Sequence, residues 1–295
     1  MTVAERIREA PPRSWLFVPA LRAPEWLPKA VSSGADAIIV DLEDATAAGQ
    51  KDRARETVRA LPLAPVGPPW IFVRANAAPA ERLQADLGAA VAAGAAGVVL
   101  PKPSRAADVA RPVAMLGAHE RGGAPLAMLL MIETARAVLN ALEIAEADPR
   151  VAGLGFGAGD LAADMGFTRS RDLAEMTTAR SLVVLAAAAA GVPAYDTPWV
   201  DVKDPVGAGN EAARARQLGF GGKLVIHPSH VAPVNAAFAP SADEVDRSRR
   251  VLAAFDSATA AGTGIATVDG RMIDMPDVLA ARRTLARAGQ GTEAT

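Results

Sequence analysis

Eight charged side chains recur at one place in the chain's pattern, each following closely on a short apolar run: Asp41 and Glu43, Arg74, Lys102, Glu133, Asp160, Asp196 and His227. The runs are too continuously apolar to alternate, so they read as strands of a parallel sheet covered on both faces. Their carboxyl ends would then gather these side chains at one rim. Glu133 closes the run Leu126 to Ile132, and Asp160 follows the next run through Gly155-Phe156-Gly157-Ala158-Gly159. Two carboxylates on neighbouring strands suit one Mg²⁺, which takes one or two carboxylates and fills its other positions with water and substrate oxygens. Such an ion polarises a carbonyl or stabilises an alkoxide. The same two acids could instead form ion pairs with Arg74 or Lys102, and the pattern does not separate the two arrangements.

The other rim residues carry similar alternatives. Arg74 offers a planar donor fork for a carboxylate or an enolate oxygen, or equally a salt bridge at the rim. Asp44, Asp160 and Asp196 could each cap a following helix. Arg74, Lys102 and Glu133 are poor caps, so capping alone does not explain why so many runs end in a charge. Gly155, Gly157 and Gly159 allow close approach of a ligand or of neighbouring chain.

The elements that must position these residues follow in a steady rhythm. Apolar runs begin at Ser14, Ala37, Trp70, Gly97, Leu126, Ala152, Val192 and Lys223, with helical patterns between them, such as Gln50 to Leu61 and the alanine-rich Met176 to Ala190. Eight runs at roughly 25 to 40 residue intervals match a (β/α)₈ TIM barrel, whose functional residues sit at the strand carboxyl ends. An open dinucleotide-binding sheet fits less well, because Pro19-Ala20-Leu21 stands where a glycine-rich turn would follow the first strand. The organisation expected is a polar leader over 1–12, the barrel over 13–239, and a C-terminal extension over 240–295 with a charged helix from Ser241 to Ala261, a break at Gly262-Thr263-Gly264 and a last helix.

Composition narrows the chemistry. At 295 residues and 51% hydrophobic, the chain can bury a barrel-sized core. A net charge of -2 from 31 basic and 33 acidic residues spread along the sequence argues against nucleic acid and membrane surfaces as partners. With no cysteine, disulfides and thiolate chemistry are excluded, and carboxylates with three histidines remain as metal ligands. Met1 to Pro12 lacks the apolar segment of a signal peptide, so a cytoplasmic location is expected.

Read as ordered motifs, the chain resembles the HpcH/HpaI aldolase and citrate lyase β-subunit superfamily, and within it the CitE-like acyl-CoA lyases. The resemblance rests on Arg13-Ser14-Trp15-Leu16-Phe17-Val18-Pro19, Asp41-Leu42-Glu43-Asp44-Ala45, Val73-Arg74-Ala75-Asn76, Leu100-Pro101-Lys102, Ile132-Glu133-Thr134 and Gly157-Ala158-Gly159-Asp160-Leu161. It continues through Gly219-Phe220-Gly221-Gly222-Lys223, Ile226-His227-Pro228 and Met272-Ile273-Asp274-Met275-Pro276, so it spans most of the chain.

The resemblance implies a Mg²⁺-dependent barrel, with Mn²⁺ as a substitute ion, that makes or breaks the bond between an acyl-CoA enolate and an α-keto acid. It implies Glu133 and Asp160 as metal ligands, Arg74 near the thioester or keto oxygen, and Glu43 lining the pocket to orient water or substrate. Asp274, in a lid formed by the extension, would be the acid/base and would act in a neighbouring subunit of a homotrimer or dimer of trimers. Phe17, Arg22 and Lys29 fall where related malyl-CoA lyases contact CoA. Without the resemblance, Asp274 would read as a cap for the last helix. Two departures stand out: Ala20 replaces the usual glycine after Val18-Pro19, and Ser229-His230 replaces the usual Asn or Gln after His227-Pro228. His227 is typical of the branch acting on free CoA thioesters. His119 and His230 read as ordinary surface or loop histidines.

The implied reaction is cleavage or formation of a 3-hydroxy-dicarboxylic acyl-CoA, such as malyl-CoA or citramalyl-CoA, with acetyl-CoA and glyoxylate or pyruvate as the other side. The alternatives are a citryl thioester lyase of the citrate lyase β-subunit type, a keto-acid aldolase using metal or a Lys102 Schiff base, and a non-catalytic subunit. Sequence does not choose the keto acid, the direction, CoA against an acyl-carrier protein, or whether a thioesterase step follows.

Overall fold

The computed structural model describes residues 1–63, 67–77, 79–120 and 123–290. Strands β1 (Ser14–Pro19), β2 (Ala37–Asp41), β3 (Trp70–Arg74), β4 (Gly97–Leu100), β5 (Ala127–Ile132), β6 (Val151–Phe156), β7 (Ala194–Asp196) and β8 (Gly222–Val225) pair in parallel and in sequence order. β8 closes on β1 through Trp15 opposite Leu224, so the expected (β/α)₈ barrel is the fold observed.

Helix α1 (Val3–Glu9) precedes the first strand. The crossovers after β1 to β4 carry α2 (Ala23–Ser32), α3 (Lys51–Arg59), α4 (Ala80–Ala93) and α5 (Ala106–Glu120). Those after β5 to β8 carry α6 (Ala135–Leu139) with α7 (Ala141–Ala145), α8 (Ala158–Met165) with α9 (Thr177–Ala189), α10 (Pro205–Leu218), and α11 (Val231–Phe238).

Strand residues divide by parity into two apolar layers, as the two-residue period of a strand requires. Leu16, Val18, Ile38, Val40, Val98 and Leu130 point outward into the layer shared with the helices. Trp15, Ile39, Phe72, Leu129, Met131 and Leu224 fill the barrel interior. Trp15 meets Phe72 edge-on at 4.9 Å between ring centroids and Tyr195 at 5.1 Å. Gly97 makes room for this packing, because a Cβ there would collide with the Phe72 ring. The interior is thus a packed plug, and ligands are left with its rim.

Residues 1–12, expected as a polar leader, instead include a packed helix. Thr2 and Glu5 form a capping box at the start of α1, Ile7 is fully buried, and Arg8 donates to the Val151 carbonyl at 2.8 Å. Only Ala4 and Ile7 are buried on this helix, and the charged residues around them hide so short an apolar face.

The chain divides into two compact units, the first Met1–Phe238 and the second beginning at Ala239. In the second, α12 (Ala242–Ala260) starts at a Ser241–Glu244 capping box. Strands β9 (Ala266–Val268) and β10 (Arg271–Ile273) then form an antiparallel hairpin, followed by α13 (Met275–Gln290). The hairpin turns at Asp269 and Gly270, with φ of 52° and 73°, the left-handed pair that an Asp-Gly turn supplies. Val251, Val268, Ile273 and Ala281 form this unit's own core. Among the described residues, no helix is long and apolar enough to cross a membrane.

Candidate active site

The carboxyl ends of β2 and β3 build the first half of the site. Asp41 ends β2, is 2% exposed, and accepts the Glu43 and Ala45 amides at 2.8 and 3.0 Å, which folds the following loop back over the strand. Its two oxygens also accept Nε and Nη2 of Arg74, each at 2.7 Å. The other terminal nitrogen of Arg74 meets Glu43 and Asp44 at 3.1 Å each. The guanidinium lies 4.8 Å from the centre of the Phe17 ring. Burial opposes the charge on Arg74, but the hydrogen bond to Asp41 and the three carboxylates outweigh it and hold its pKa above the ordinary value. Arg74 is therefore a fixed, permanently charged fork at the rim.

A further layer holds this loop. Asn76 Nδ2 donates to the Leu42 carbonyl at 3.1 Å and to Asp86 at 2.7 Å, and Arg55 Nε donates to Asp86 at 2.7 Å. Lys51 Nζ reaches the Leu42 carbonyl at 2.8 Å. Sequence reading gave Asp41 no task and passed over Asp86. The available signal was a carboxylate three residues after Leu83, on the apolar face of α4, where a charge requires a partner.

β4, β5 and β6 supply the second half. Glu133 follows β5 and is 2% exposed, and its Oε1 accepts the Lys102 amide at 3.1 Å. Thr134 caps α6 by accepting the Ala137 amide at 3.1 Å, which fixes the backbone beside Glu133. Gly157 is required here, since a Cβ would strike the Glu133 side chain. Of the other glycines singled out in sequence, Gly155 makes room for the Met131 sulfur, and Gly159 faces open space.

Asp160 lies in the first turn of α8 and pairs with Lys102 Nζ at 3.0 Å. It is not a helix cap, and neither is Asp44, which pairs with Arg74. Burial pushes the Glu133 carboxyl up to about 8, helped by the charges of Asp160 and Glu43 and opposed by Arg74 and Lys102. Glu43 is pushed up to about 7 by burial against the pull of Arg74. The rim thus gathers more carboxyl groups than cations, with Asp41, Glu43, Asp44, Glu133 and Asp160 set against Arg74, Lys102 and Lys51.

Those features fit a divalent cation. Glu133 is held in a glycine-lined recess, carries no ion pair among the described residues, and resists ionisation beside Asp160. Among the described residues, no group of three or more metal-ligating side chains gathers. A cation held by Glu133 and Asp160 would take its remaining ligands from water and substrate, the habit of Mg²⁺.

The other expected site residues have different partners. Arg22 and Lys29 sit exposed on the segment after β1, both beside Glu25 at 2.9 and 3.9 Å, and the Arg22 guanidinium stacks 4.8 Å over Trp26. Asp196 is fully buried, pairing with Arg180 at 2.8 Å and Lys223 at 2.7 Å, and both cations also pair with Glu211. This outward-facing cluster locks β7 and β8 to α9 and α10, which removes Asp196 from the rim chemistry. His227 is exposed and bonds Ser229 at 2.7 Å, whereas His230 is 1% exposed, a correction to its reading as a surface or loop histidine. Asp274 stands in the second unit just before α13. Asp277 closes that helix start by accepting the Asp274 amide at 3.2 Å, and among the described residues no hydrogen bond engages the Asp274 carboxylate.

Fold and rim together define a barrel enzyme scaffold with a carboxylate pair and an arginine fork, and comparison assigns its family: the chain belongs to the HpcH/HpaI aldolase/citrate lyase family, matched over residues 13–228. A relative named (3S)-malyl-CoA thioesterase, from Cereibacter sphaeroides, is 38% identical over 279 residues, covering 94% of this chain and 95% of that protein. The citrate lyase subunit beta of Escherichia coli is 36% identical and covers 94% of this chain and 93% of its own length. Among solved structures, CitE from Mycobacterium tuberculosis in complex with magnesium, acetoacetate and coenzyme A matches with a TM-score of 0.77 at 36% identity, covering 96% of this chain and 99% of that one.

Proposed function

We propose that the protein is a Mg²⁺-dependent carbon–carbon lyase acting on a 3-hydroxy-dicarboxylic acyl-CoA of the malyl-CoA or citramalyl-CoA type. Its products would be acetyl-CoA and glyoxylate or pyruvate, with condensation as the reverse reaction. One observation carries this reading: the Arg74 fork and the Glu133–Asp160 pair stand at the carboxyl ends of neighbouring strands, where Lys102 meets Glu133 through its amide at 3.1 Å and Asp160 through its ammonium at 3.0 Å. The family membership and the magnesium and coenzyme A of the Mycobacterium structure support it.

In this reading Glu133 and Asp160 hold the cation, which when bound lowers the cost of charge on the substrate's hydroxyl oxygen. Arg74, pinned by Asp41, is pre-aimed at the enolate oxygen that develops on the departing acetyl-CoA. Glu43 borders that oxygen and orients substrate. Asp274 delivers the proton to the enolate carbon, or removes it in condensation. Its carboxylate is not consumed by helix capping, which supports that role, and we place it across the interface of a homotrimer. Phe17, under Arg74, would contact the CoA end of the substrate, with Arg22 and Lys29 further along the same segment.

The Schiff-base alternative is weakened by Lys102, whose ammonium Asp160 holds charged against burial, above its ordinary pKa. Thioester hydrolysis is the second reading, favoured by the name of the Cereibacter relative. The two reactions separate by product: cleavage of malyl-CoA releases glyoxylate and leaves the thioester as acetyl-CoA, whereas hydrolysis releases malate and free CoA thiol. Malyl-CoA and citramalyl-CoA should therefore be assayed side by side for keto acid and for free thiol, with and without EDTA, using Asp274→Ala as control. Keto-acid release that persists in full without divalent metal would sink the proposal.

A further inference from the structure

Lys102 has no task in the reaction as described, yet its backbone is unusual. Its φ of 56° lies in the left-handed region, which a long side chain seldom occupies and which persists only where surrounding contacts enforce it. From that conformation one residue engages both carboxylates at the rim: its amide reaches Glu133 at 3.1 Å and its ammonium reaches Asp160 at 3.0 Å. A lysine at ordinary φ would send its side chain in another direction from the same amide.

We infer that Lys102 is a stand-in cation, a positioning residue that holds Asp160 against Glu133 in the metal-free protein and that an incoming divalent ion must displace. The inference rests on the metal reading above. Without the ammonium, Glu133 and Asp160 would keep no cation of their own, because Arg74 is taken by Asp41, Glu43 and Asp44 and Lys51 is held at the loop carbonyl of Leu42. With a divalent ion in place, the ammonium becomes a like charge, and even at about 6 Å in a water-like dielectric that repulsion is worth about tenfold in affinity. Lys102 would thus weaken metal binding while holding the two carboxylates in place.

The test is Mn²⁺ binding, followed by loss of the free-ion EPR signal, together with melting in EDTA, for the wild type, Lys102→Met, Lys102→Arg and Lys102→Gly. Lys102→Met should bind Mn²⁺ about tenfold more tightly and melt lower without metal. Lys102→Arg should keep wild-type affinity. Lys102→Gly keeps the amide and relieves the left-handed backbone, so it carries the test if Lys102→Met fails to fold, and it too should bind more tightly. Wild-type or weaker affinity in both uncharged variants overturns the inference while the metal site stands. A wild type that binds no Mn²⁺ overturns the metal reading and this inference with it.

Discussion

Asp41 grips Arg74 through two parallel 2.7 Å hydrogen bonds, and the same carboxylate accepts two amides of the loop that carries Glu43. One buried acid therefore sets the position of the fork and of the acid beside it. A lysine cannot reproduce that grip, because its ammonium is a point donor on a flexible stem. Arg74→Lys should lower kcat for the proposed cleavage by about 100-fold or more, the scale of losing a pre-aimed oxyanion donor. Asp41→Asn should give a smaller loss in the same direction. Circular dichroism should show both folded, and wild-type turnover in Arg74→Lys would remove Arg74 from the chemistry.

The start of α13 separates a structural acid from a chemical one. Asp277 accepts the Asp274 amide, while the Asp274 carboxylate takes no part in the cap. Asp277→Ala should cost about 1 kcal/mol, as loss of a capping side chain does, with activity little changed at a temperature where the variant is folded. Asp274→Asn should abolish turnover and leave the melting temperature within a degree or so of wild type, since the half-buried Asp274 carboxylate makes no hydrogen bond among the described residues and changes away from such contacts cost little. The reverse pattern, a fall in stability with activity kept, would make Asp274 the cap that bare sequence suggested.

Gly157 lies between the strand that ends near it and the carboxylate it accommodates. Gly157→Ala must push Glu133 aside, because no room exists for a methyl group beside that side chain. The expected result is a folded protein with Mn²⁺ affinity reduced about tenfold, within the 10–100-fold range typical of disturbing a ligand's support. Calorimetry measures it directly, and unchanged affinity would mean that Glu133 is not a ligand.

The strands were legible because each is buried on both faces, which makes a run continuously apolar and ends it abruptly at the rim. β2 and β5 have no exposed residue, and their sequences contain no polar side chain before Asp41 and Glu133. The rim was legible for the same reason, since Arg74, Glu133 and Asp160 stand out against apolar neighbours. What it hid was pairing. Asp160 with Lys102 and Arg74 with Asp41 depend on loop geometry, including a left-handed Lys102 that no local propensity favours. α1 was missed because two buried residues among charged ones make too short a stripe, and the β9–β10 hairpin because its strands are three residues each, although Asp269-Gly270 announced the turn.

The buried cluster of Arg180, Asp196, Glu211 and Lys223 had a signal in Lys223, a cation within an apolar strand. Two cations and two anions balance there, and removing one leaves a buried carboxylate pair with a single partner. Lys223→Met should lower unfolding free energy by about 3–5 kcal/mol, the cost of breaking rather than replacing a buried pair. Urea denaturation gives the value. A loss below about 1 kcal/mol would mean that the cluster behaves as an exposed ion pair does.

His230 gives the clearest pH dependence. It is 1% exposed, and its ring centroid lies 5.9 Å from that of His227. Burial lowers its pKa from the ordinary 6.5, His227 adds to the shift, and the backbone of Asp201 and Val202 with the Asp204 carboxylate opposes it. The folded protein therefore binds this proton less readily than the unfolded chain. Stability is unaffected by His230 well above pH 6.5 and falls as pH drops below it, because the unfolded state takes up the proton first. The fall ends once pH passes below the folded pKa. His230→Gln, which cannot ionise, should show a shallower loss of the urea midpoint between about pH 7.5 and 5 than the wild type, whatever its stability at neutral pH. Equal slopes for the two proteins would show that His230 takes up its proton as easily folded as unfolded.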